Sequence, residues 1–268
     1  KFCFLLLYTY MSWASRRQFS YLSLVIIFVA LVLFLLLRPI FFKAPTCADL
    51  KQNGGELGVD CGGSCQKLCP FQVSSPTVLW SRAFNVNDNF YNLLAYVENQ
   101  NKDGAVYSGK YEFRVYDTEN KLIGRREGST FVPPNQRFAV FESRFNVGEK
   151  IPKNVTFEFE PSMIWWKKES VIQTLSVKID RILLGSDSEA PSLPARVRND
   201  SIIDIPEFDA VVIIYDANKN AIAVSKTRGN NLKSNTEDLL LFTWPKPFTE
   251  APVTKDVFLQ INPFVFPN

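Results

Sequence analysis

The sequence predicts an all-β protein: two tandem β-sandwiches that follow one N-terminal transmembrane helix and a disulfide-rich neck. An uninterrupted apolar run lies near the N-terminus, and four cysteines follow it closely. From Thr77 onward the chain consists of short β-rich runs separated by Asn, Gly, Pro and Asp. The predicted divisions are a cytoplasmic tail at 1–20, a helix at 21–42, a neck at 43–72, and sandwiches at 73–169 and 170–268.

The apolar run from Tyr21 to Phe42 predicts a membrane-spanning helix. Residues 21–37 contain one polar side chain, Ser23, and no charge. At 1.5 Å per residue they cover about 26 Å, close to the thickness of a bilayer core. A buried core helix rarely runs this long without a polar face, and a cleaved signal peptide usually has a shorter run followed by small residues. We therefore expect an uncleaved signal anchor in contact with lipid.

The residues that precede this run predict a short cytoplasmic tail. The stretch 1–10 is apolar but too short to span a bilayer, and Met11 begins a more typical tail. We interpret residues 1–10, with Cys3, as an upstream extension of the reading frame. Positive charges flank the helix almost evenly, so charge alone does not decide its orientation.

Four cysteines predict two disulfides in the neck. Cys47, Cys61, Cys65 and Cys69 have the spacing C-x13-C-x3-C-x3-C. A zinc site would favour C-x2-C pairs in a reducing compartment. Spacings of three, a Gly-Gly-Ser loop and an adjacent anchor favour disulfides outside the cytoplasm. Four cysteines allow three pairings, so the connectivity stays open. The disulfides imply a cytoplasmic N-terminus and extracytoplasmic sandwiches.

The neck also contains a weak calcium candidate. Asp49, Asn53 and Asp60 occupy positions 1, 5 and 12 of a loop resembling an EF-hand. Lys51 stands at position 3, where an oxygen ligand is needed, and the flanks are not helical. We favour a polar turn fixed by disulfides, and we expect no cofactor or metal.

The run N-G-x-E-x-G-V-D-C-G-G-S-C, from Asn53 to Cys65, resembles a short cysteine-rich module. Such modules are found beside membrane anchors and in adhesin-like surface proteins. The resemblance covers about a tenth of the chain. It implies an extracytoplasmic location and no catalytic role.

The region after Thr77 contains an internal repeat. The motif V-x-N ends at Asn99 and again at Asn199, and the motif Y-D ends at Asp117 and again at Asp216. Further along the chain, Phe141 aligns with Phe242, and the run from Val155 aligns with the run from Val257. The difference in residue number between aligned positions therefore drifts from 99 to 102. The alternation of Tyr111, Phe113 and Val115 with polar residues indicates a half-buried strand. Each Y-D is followed by a polar turn and an apolar return strand, which predicts a hairpin.

The runs F-x-V-Y-D and I-I-Y-D, each preceded by V-x-N, resemble FxLYD-type modules. The second run has Val212 where the motif has Phe. These modules are β-sandwiches of immunoglobulin-like appearance that are common in extracytoplasmic bacterial proteins. The resemblance implies a bacterial single-pass membrane protein with two such sandwiches, and it carries little information about function.

Composition favours binding over catalysis. The chain has no histidine, which excludes Ser-His-Asp nucleophiles, His-ligated metals and imidazole acid–base chemistry. The net charge is only +3, and the lysines and arginines form no obvious cluster, so we expect no nucleic-acid partner. We predict a non-enzymatic, membrane-anchored binding or structural protein of the cell envelope, of unknown oligomeric state.

The candidate interaction surface is the run Trp165, Trp166, Lys167 and Lys168, because aromatic and cationic groups together favour binding. The alternative for this run is one buried tryptophan beside solvated lysines. The alternatives for the whole protein are a carboxylate-based extracytoplasmic hydrolase, for example through Glu158 and Glu160, and a calcium-dependent adhesin.

Overall fold

The computed structural model describes residues 13–41, 44–168, 177–182 and 190–266, and it confirms the predicted fold class. One N-terminal helix, a disulfide-bonded neck and several antiparallel sheets make up the described chain. The helix is α1 (Trp13–Phe41), and the strands are β1 (Thr77–Asn87), β2 (Phe90–Asn99), β3 (Gly104–Tyr116), β4 (Leu122–Val132), β5 (Gln136–Asn146), β6 (Asn154–Phe159), β7 (Trp165–Lys167), β8 (Val177–Ile182), β9 (Ser192–Asn199), β10 (Ile205–Tyr215), β11 (Ala221–Leu232), β12 (Thr236–Thr243) and β13 (Thr254–Gln260). Residues 1–10, the end of the predicted span at Phe42 and the predicted boundary at 169/170 lie outside the described residues.

Helix α1 has the length and composition of a membrane span. Its candidate span runs from Trp13 to Arg38, and none of its most apolar window is buried within the protein. Leu24, Phe28 and Leu36 each expose more than half of their surface. A core helix would bury such side chains, so the exposed apolar surface favours contact with lipid. The helix begins at Trp13, within the segment that was predicted as tail.

The neck contains the two predicted disulfides. Cys47 is bonded to Cys65, and Cys61 is bonded to Cys69. Cys61, Cys65 and Cys69 are buried, while Cys47 lies at the surface. Because few apolar side chains are buried in so small a segment, the cross-links supply much of its order.

Two pairs of sheets follow the neck, with corresponding strand orders. In the first pair, β1-β2-β5 packs on β4-β3-β6, and β7 pairs with the free end of β3. In the second pair, β8-β9-β12 accompanies β11-β10-β13. The first core includes Leu93, Val97 and Phe113, and the second core includes Leu193, Val197 and Val212. The division at 73–169 and 170–268 stays a prediction.

A third core joins the two pairs. Leu94 and Phe84, on the outward face of β1-β2-β5, pack against Val211 and Ile213, on the outward face of β10. The rings of Tyr96 and Phe258 also meet across this contact, with their centroids 5.1 Å apart. The body is therefore a stack of four sheets with three apolar layers, in which the two middle sheets are buried on both faces.

The repeated V-x-N and Y-D motifs have structural roles. The side-chain amides of Asn99 and Asn199 are buried and donate to backbone carbonyls of neighbouring loops, for example from Asn99 to Pro133 at 2.7 Å. Asp117 and Asp216 are also buried and accept backbone N–H groups within the predicted hairpin turns. The motifs therefore hold turns in place in both pairs of sheets.

Strand pairing corrects two of the predicted alignments. Phe141 pairs with Leu94 and faces the third core, whereas Phe242 pairs with Leu193 and faces the core of its own pair. These two phenylalanines are not equivalent, because an offset of one residue reverses the face of a strand.

The alignment of β6 is also wrong, by two residues. Val257 lies opposite Val212, and Phe157 lies opposite Phe113, so Phe157 is the equivalent of Val257. The face is unchanged here because the shift is even.

Candidate binding groove

Strand β7 joins the neck to the first pair of sheets. On one side, Trp165 and Trp166 pair with Val106 and Ala105 of β3. On the other side, the backbone N–H of Leu68 donates to the Trp165 carbonyl at 2.9 Å, and that of Lys167 donates to the Gln66 carbonyl at 2.7 Å. Neck residues 66–68 therefore extend the sheet by a short segment, and the neck is fixed to it by backbone hydrogen bonds.

The structure separates the four residues that were predicted as one surface. Trp165 is only 7% exposed and belongs to the core of the first pair. Trp166, the next residue of the strand, points to the opposite face and is half-buried. Lys167 is exposed, and Lys168 lies near the end of the described segment. Trp166 and Lys168, two residues apart, share the face opposite Trp165, and Lys167 borders the same surface.

That surface is one wall of a groove of about 750 Å³, which we call the neck groove. Its walls come from the neck, the first pair of sheets and the C-terminal turn. The lining residues are Gln66, Tyr107, Ser108, Lys110, Glu160, Ser162, Met163, Ile164, Trp166, Lys167, Lys168 and Phe264. Tyr107 and Ile164 are 64% and 54% exposed, so large apolar surface is open to solvent.

Charge in the neck groove is mainly positive. Among the described residues, Lys110, Lys167 and Lys168 line it together with one acid, Glu160. The ammonium nitrogen of Lys168 lies 5.6 Å from the centre of the Phe264 ring, a cation–π distance. Within the part of the chain that the structure describes, neither Lys110 nor Lys167 forms a salt bridge. The groove thus offers apolar surface beside available cations.

The C-terminal turn contributes to the groove without any sequence pattern that predicted it. Phe264 lies in a 3-10 turn at Pro263–Val265, and the Asn262 side chain accepts from its backbone N–H at 3.0 Å. Its ring meets that of Tyr107 edge to face, with centroids 5.3 Å apart. The pattern Asn-Pro-Phe indicates a capped turn, but no sequence signal places that turn against the other pair of sheets.

The three calcium candidates lie together in the neck, where hydrogen bonds already engage them. The Asp60 carboxylate is buried and accepts the backbone N–H groups of Asp49 and Leu50, at 2.9 and 3.0 Å. The Asn53 side chain donates to Asp49 at 2.9 Å, and this bond holds the pKa of Asp49 below its usual range. This geometry favours the polar turn that we expected over a calcium site.

The sulfur atoms of Cys47 and Cys65 lie near the Glu56 carboxylate, an arrangement that could resemble a metal centre. They are joined as a disulfide, which has no thiolate to offer a metal. The zinc alternative therefore finds no support in this oxidised state.

A second, polar groove crosses the contact between the two pairs of sheets. Its lining includes Asp209, Lys226 and Arg228. Burial raises the pKa of Asp209, but hydrogen bonds and positive charge from Arg228 and Lys226 outweigh it and hold this pKa below its ordinary value. These charges satisfy one another, which favours a structural role.

The carboxylates that were considered for hydrolysis do not meet in a cleft. Glu158 lies on the open face of its sheet, 3.1 Å from Arg114. Glu160 follows the end of β6 and lines the neck groove.

Comparisons with known proteins do not assign the chain to a family. No protein-family model matches it, and no curated protein matches it. Among solved structures, red sea bream transglutaminase aligns with 70% of this chain at 12% identity and a TM-score of 0.25. The aligned part spans 31% of that protein, and so low a TM-score supports no argument about fold or activity. The FxLYD-type and immunoglobulin-like resemblances stay predictions.

Proposed function

We propose that the chain is a membrane-anchored binding protein of the cell envelope, and that the neck groove is its recognition surface. The observation that carries this proposal is the groove itself, where Tyr107, Ile164 and Trp166 expose apolar surface beside Lys110 and Lys167. Exposed aromatic groups next to cations are typical of protein recognition.

Helix α1 supplies the anchor, and the disulfides support a body outside the cytoplasm with the N-terminus inside. Glu158 is paired with Arg114 and does not line the groove with Glu160, which argues against a catalytic carboxylate pair, since such a pair would share a cleft. The internal hydrogen bonds of Asp60 likewise argue against the calcium-dependent adhesin.

The chemistry of the groove defines its ligand. Among the described lining residues, Lys110 and Lys167 form no salt bridge and outnumber the one glutamate, so a ligand with negative charge is favoured over a cation. The apolar wall favours an aliphatic or aromatic group beside that charge. We infer that the groove binds a peptide segment in which a large apolar side chain lies next to a carboxylate.

Site-specific photo-crosslinking in native membranes tests this proposal. Benzoylphenylalanine replaces Ile164 in the groove or, as a control, Ile151, which is 68% exposed in the β5–β6 loop. We expect one discrete protein adduct from position 164 and none from position 151. Lys167→Glu should abolish the adduct, whereas Lys150→Glu, a charge change on the distant loop, should preserve it. Equal adducts at both positions, or an adduct that Lys167→Glu leaves intact, would contradict the proposal.

A further inference from the structure

The neck exposes an unusual amount of apolar surface. Leu50, Leu57, Val59 and Phe71 are 82%, 52%, 54% and 72% exposed. Single exposed apolar residues are common, but four within one small cross-linked segment form a candidate contact surface. The disulfides explain how the neck keeps its shape without burying them.

The four residues lie in one disulfide-linked segment, and Phe71 approaches the turn that carries Leu57 and Val59. A Cβ atom on Gly58, which lies between Leu57 and Val59, would be 3.7 Å from the ring of Phe71. The backbone N–H of Leu50 donates to the carboxylate of Asp60, the residue after Val59, at 3.0 Å. We call this group the neck patch.

The acids beside the patch are satisfied from within the neck. Asp60 accepts from Asp49 and Leu50, and Glu56 accepts the backbone N–H groups of Asn53 and Asp60 at 3.3 and 3.2 Å. An apolar environment could therefore cover the patch without leaving these carboxylates unpartnered.

The position of the neck along the chain identifies its neighbour. Helix α1 ends at Phe41, and Cys47 follows six residues later, which places it at most about 22 Å from the end of the helix. The two ends of α1 lie on either side of the hydrocarbon core, and each headgroup layer adds only about 5–8 Å beyond that core. The neck therefore stays within about 22 Å of the end of α1, which is close enough for it to reach the lipid interface.

We propose that the neck patch inserts into the lipid interface, so that the neck rests on the membrane beside α1. Amphipathic surfaces bind membranes in this way when apolar groups reach the boundary between headgroups and acyl chains. Because residues 66–68 are hydrogen-bonded to β7, the docked neck also fixes the orientation of the sheets above the membrane. This inference rests on the anchor in the proposed function and not on the neck groove.

Lipid photo-crosslinking of the full chain, with its disulfides intact and reconstituted into phosphatidylcholine vesicles, tests the inference. Benzoylphenylalanine replaces Phe71 in the patch, Phe28 in α1 as a positive control, or Ile202 as a control that is 90% exposed on the second pair of sheets. We expect phospholipid adducts at positions 28 and 71, several-fold above those at position 202.

A tryptophan variant provides an independent measurement that requires no bulky probe. The added fluorescence of Phe71→Trp, after subtraction of the unmodified chain, should be quenched by brominated lipid, whereas that of Ile202→Trp should not. Quenching of both or of neither would overturn the inference.

The outcomes also separate this inference from the proposed function. Lipid adducts at position 28 without adducts at position 71 would overturn the neck patch alone and leave the anchor intact. The absence of lipid adducts at position 28 would overturn the anchor, and the inference with it. An adduct from position 71 to a second copy of the chain, in place of lipid, would overturn the inference in favour of self-association.

Discussion

The two pairs of sheets share a strand order but differ in the faces that they expose. In the first pair, β3 carries Glu112 and Arg114 on its outward face, where they form ion pairs. The corresponding positions of β10 are Val211 and Ile213, both fully buried in the third core. In the sheets that contain β2 and β9 the difference is reversed. The outward face of β2 presents the apolar Leu94, whereas the outward face of β9 presents charged residues.

This exchange shows that alternate positions of a strand can change character without changing its place in a sheet. One face of each strand builds the core of its own pair, and the other face determines whether the sheet meets water or a neighbour. The four-sheet stack therefore depends on a few outward side chains. The outward faces of β3 and β9 carry charged residues, and β12 exposes Leu239 and Leu241 beside them.

Exchanging the outward residues should produce the largest effect. Ile213→Arg places an unpaired charge in the third core and should lower the free energy of unfolding by about 3 kcal/mol or more. Arg114→Ile, at the corresponding solvent-facing and partly buried position, should change it by about 0.5 kcal/mol or less. Denaturant titration of the full chain measures both. Similar losses for the two variants would contradict the assignment of outward faces.

The buried asparagines test what the two pairs have in common. Asn99→Ala and Asn199→Ala each remove donors from buried backbone carbonyls, and each should cost about 1–3 kcal/mol of unfolding free energy. Asn154→Ala, at an exposed position that begins β6, is the control and should be nearly neutral. A large loss for only one of the two buried residues would mean that the V-x-N motif has different roles in the two copies.

The hairpin turns should respond differently to glycine. Asn120 and Lys219 both adopt positive φ, at 61° and 62°. Lysine is strained at positive φ, whereas asparagine is tolerated there. Lys219→Gly should therefore raise the free energy of unfolding by up to about 1 kcal/mol. Asn120→Gly should have a smaller effect. Thermal unfolding of the two variants under the same conditions provides the comparison, and equal gains would contradict it.

The smallest expected effect concerns acid stability. The pKa of Asp209 is lower in the folded chain than in the unfolded chain, so its contribution is present above its ordinary pKa. That contribution is lost as the pH falls below about 4, because Asp209 in the unfolded chain then takes up a proton more readily than in the folded chain, and protonation favours unfolding. Asp209→Asn should reduce the difference in melting temperature between neutral and acidic solution. An unchanged difference would show that Asp209 is not coupled to folding.

The sequence predicted the parts of the fold that depend on local pattern. The apolar run predicted α1, and the alternation around Phe113 predicted a strand with one buried face. The cysteine spacing predicted disulfides, but three pairings were equally compatible with it. Proximity in the folded neck, which spacing alone does not specify, determines the pairing that the structure contains.

The third core and the groove depend on contacts between distant segments. The unbroken apolar run from Ala210 to Ile214 was a usable signal, because a strand that is buried on both faces lacks polar alternation. No comparable pattern brings Phe264 to Tyr107 or the neck to β7. The Trp-Trp pair was recognised as a candidate, but only the pairing of β7 with β3 decides which tryptophan is buried.

The Cys47–Cys65 disulfide also determines how mechanical force travels through the molecule. Tension applied through α1 passes across the sulfur–sulfur bond to Cys65 and then to the residues that are bonded to β7. The enclosed loop is shielded from this load. Reduction of this bond alone would add the 14 residue steps from Cys47 to Cys61 to the loaded path, an extension of up to about 50 Å, because Cys61–Cys69 still closes the rest. The oxidised neck therefore acts as a short, inextensible link, and its redox state sets how far the sheets can be pulled from the membrane.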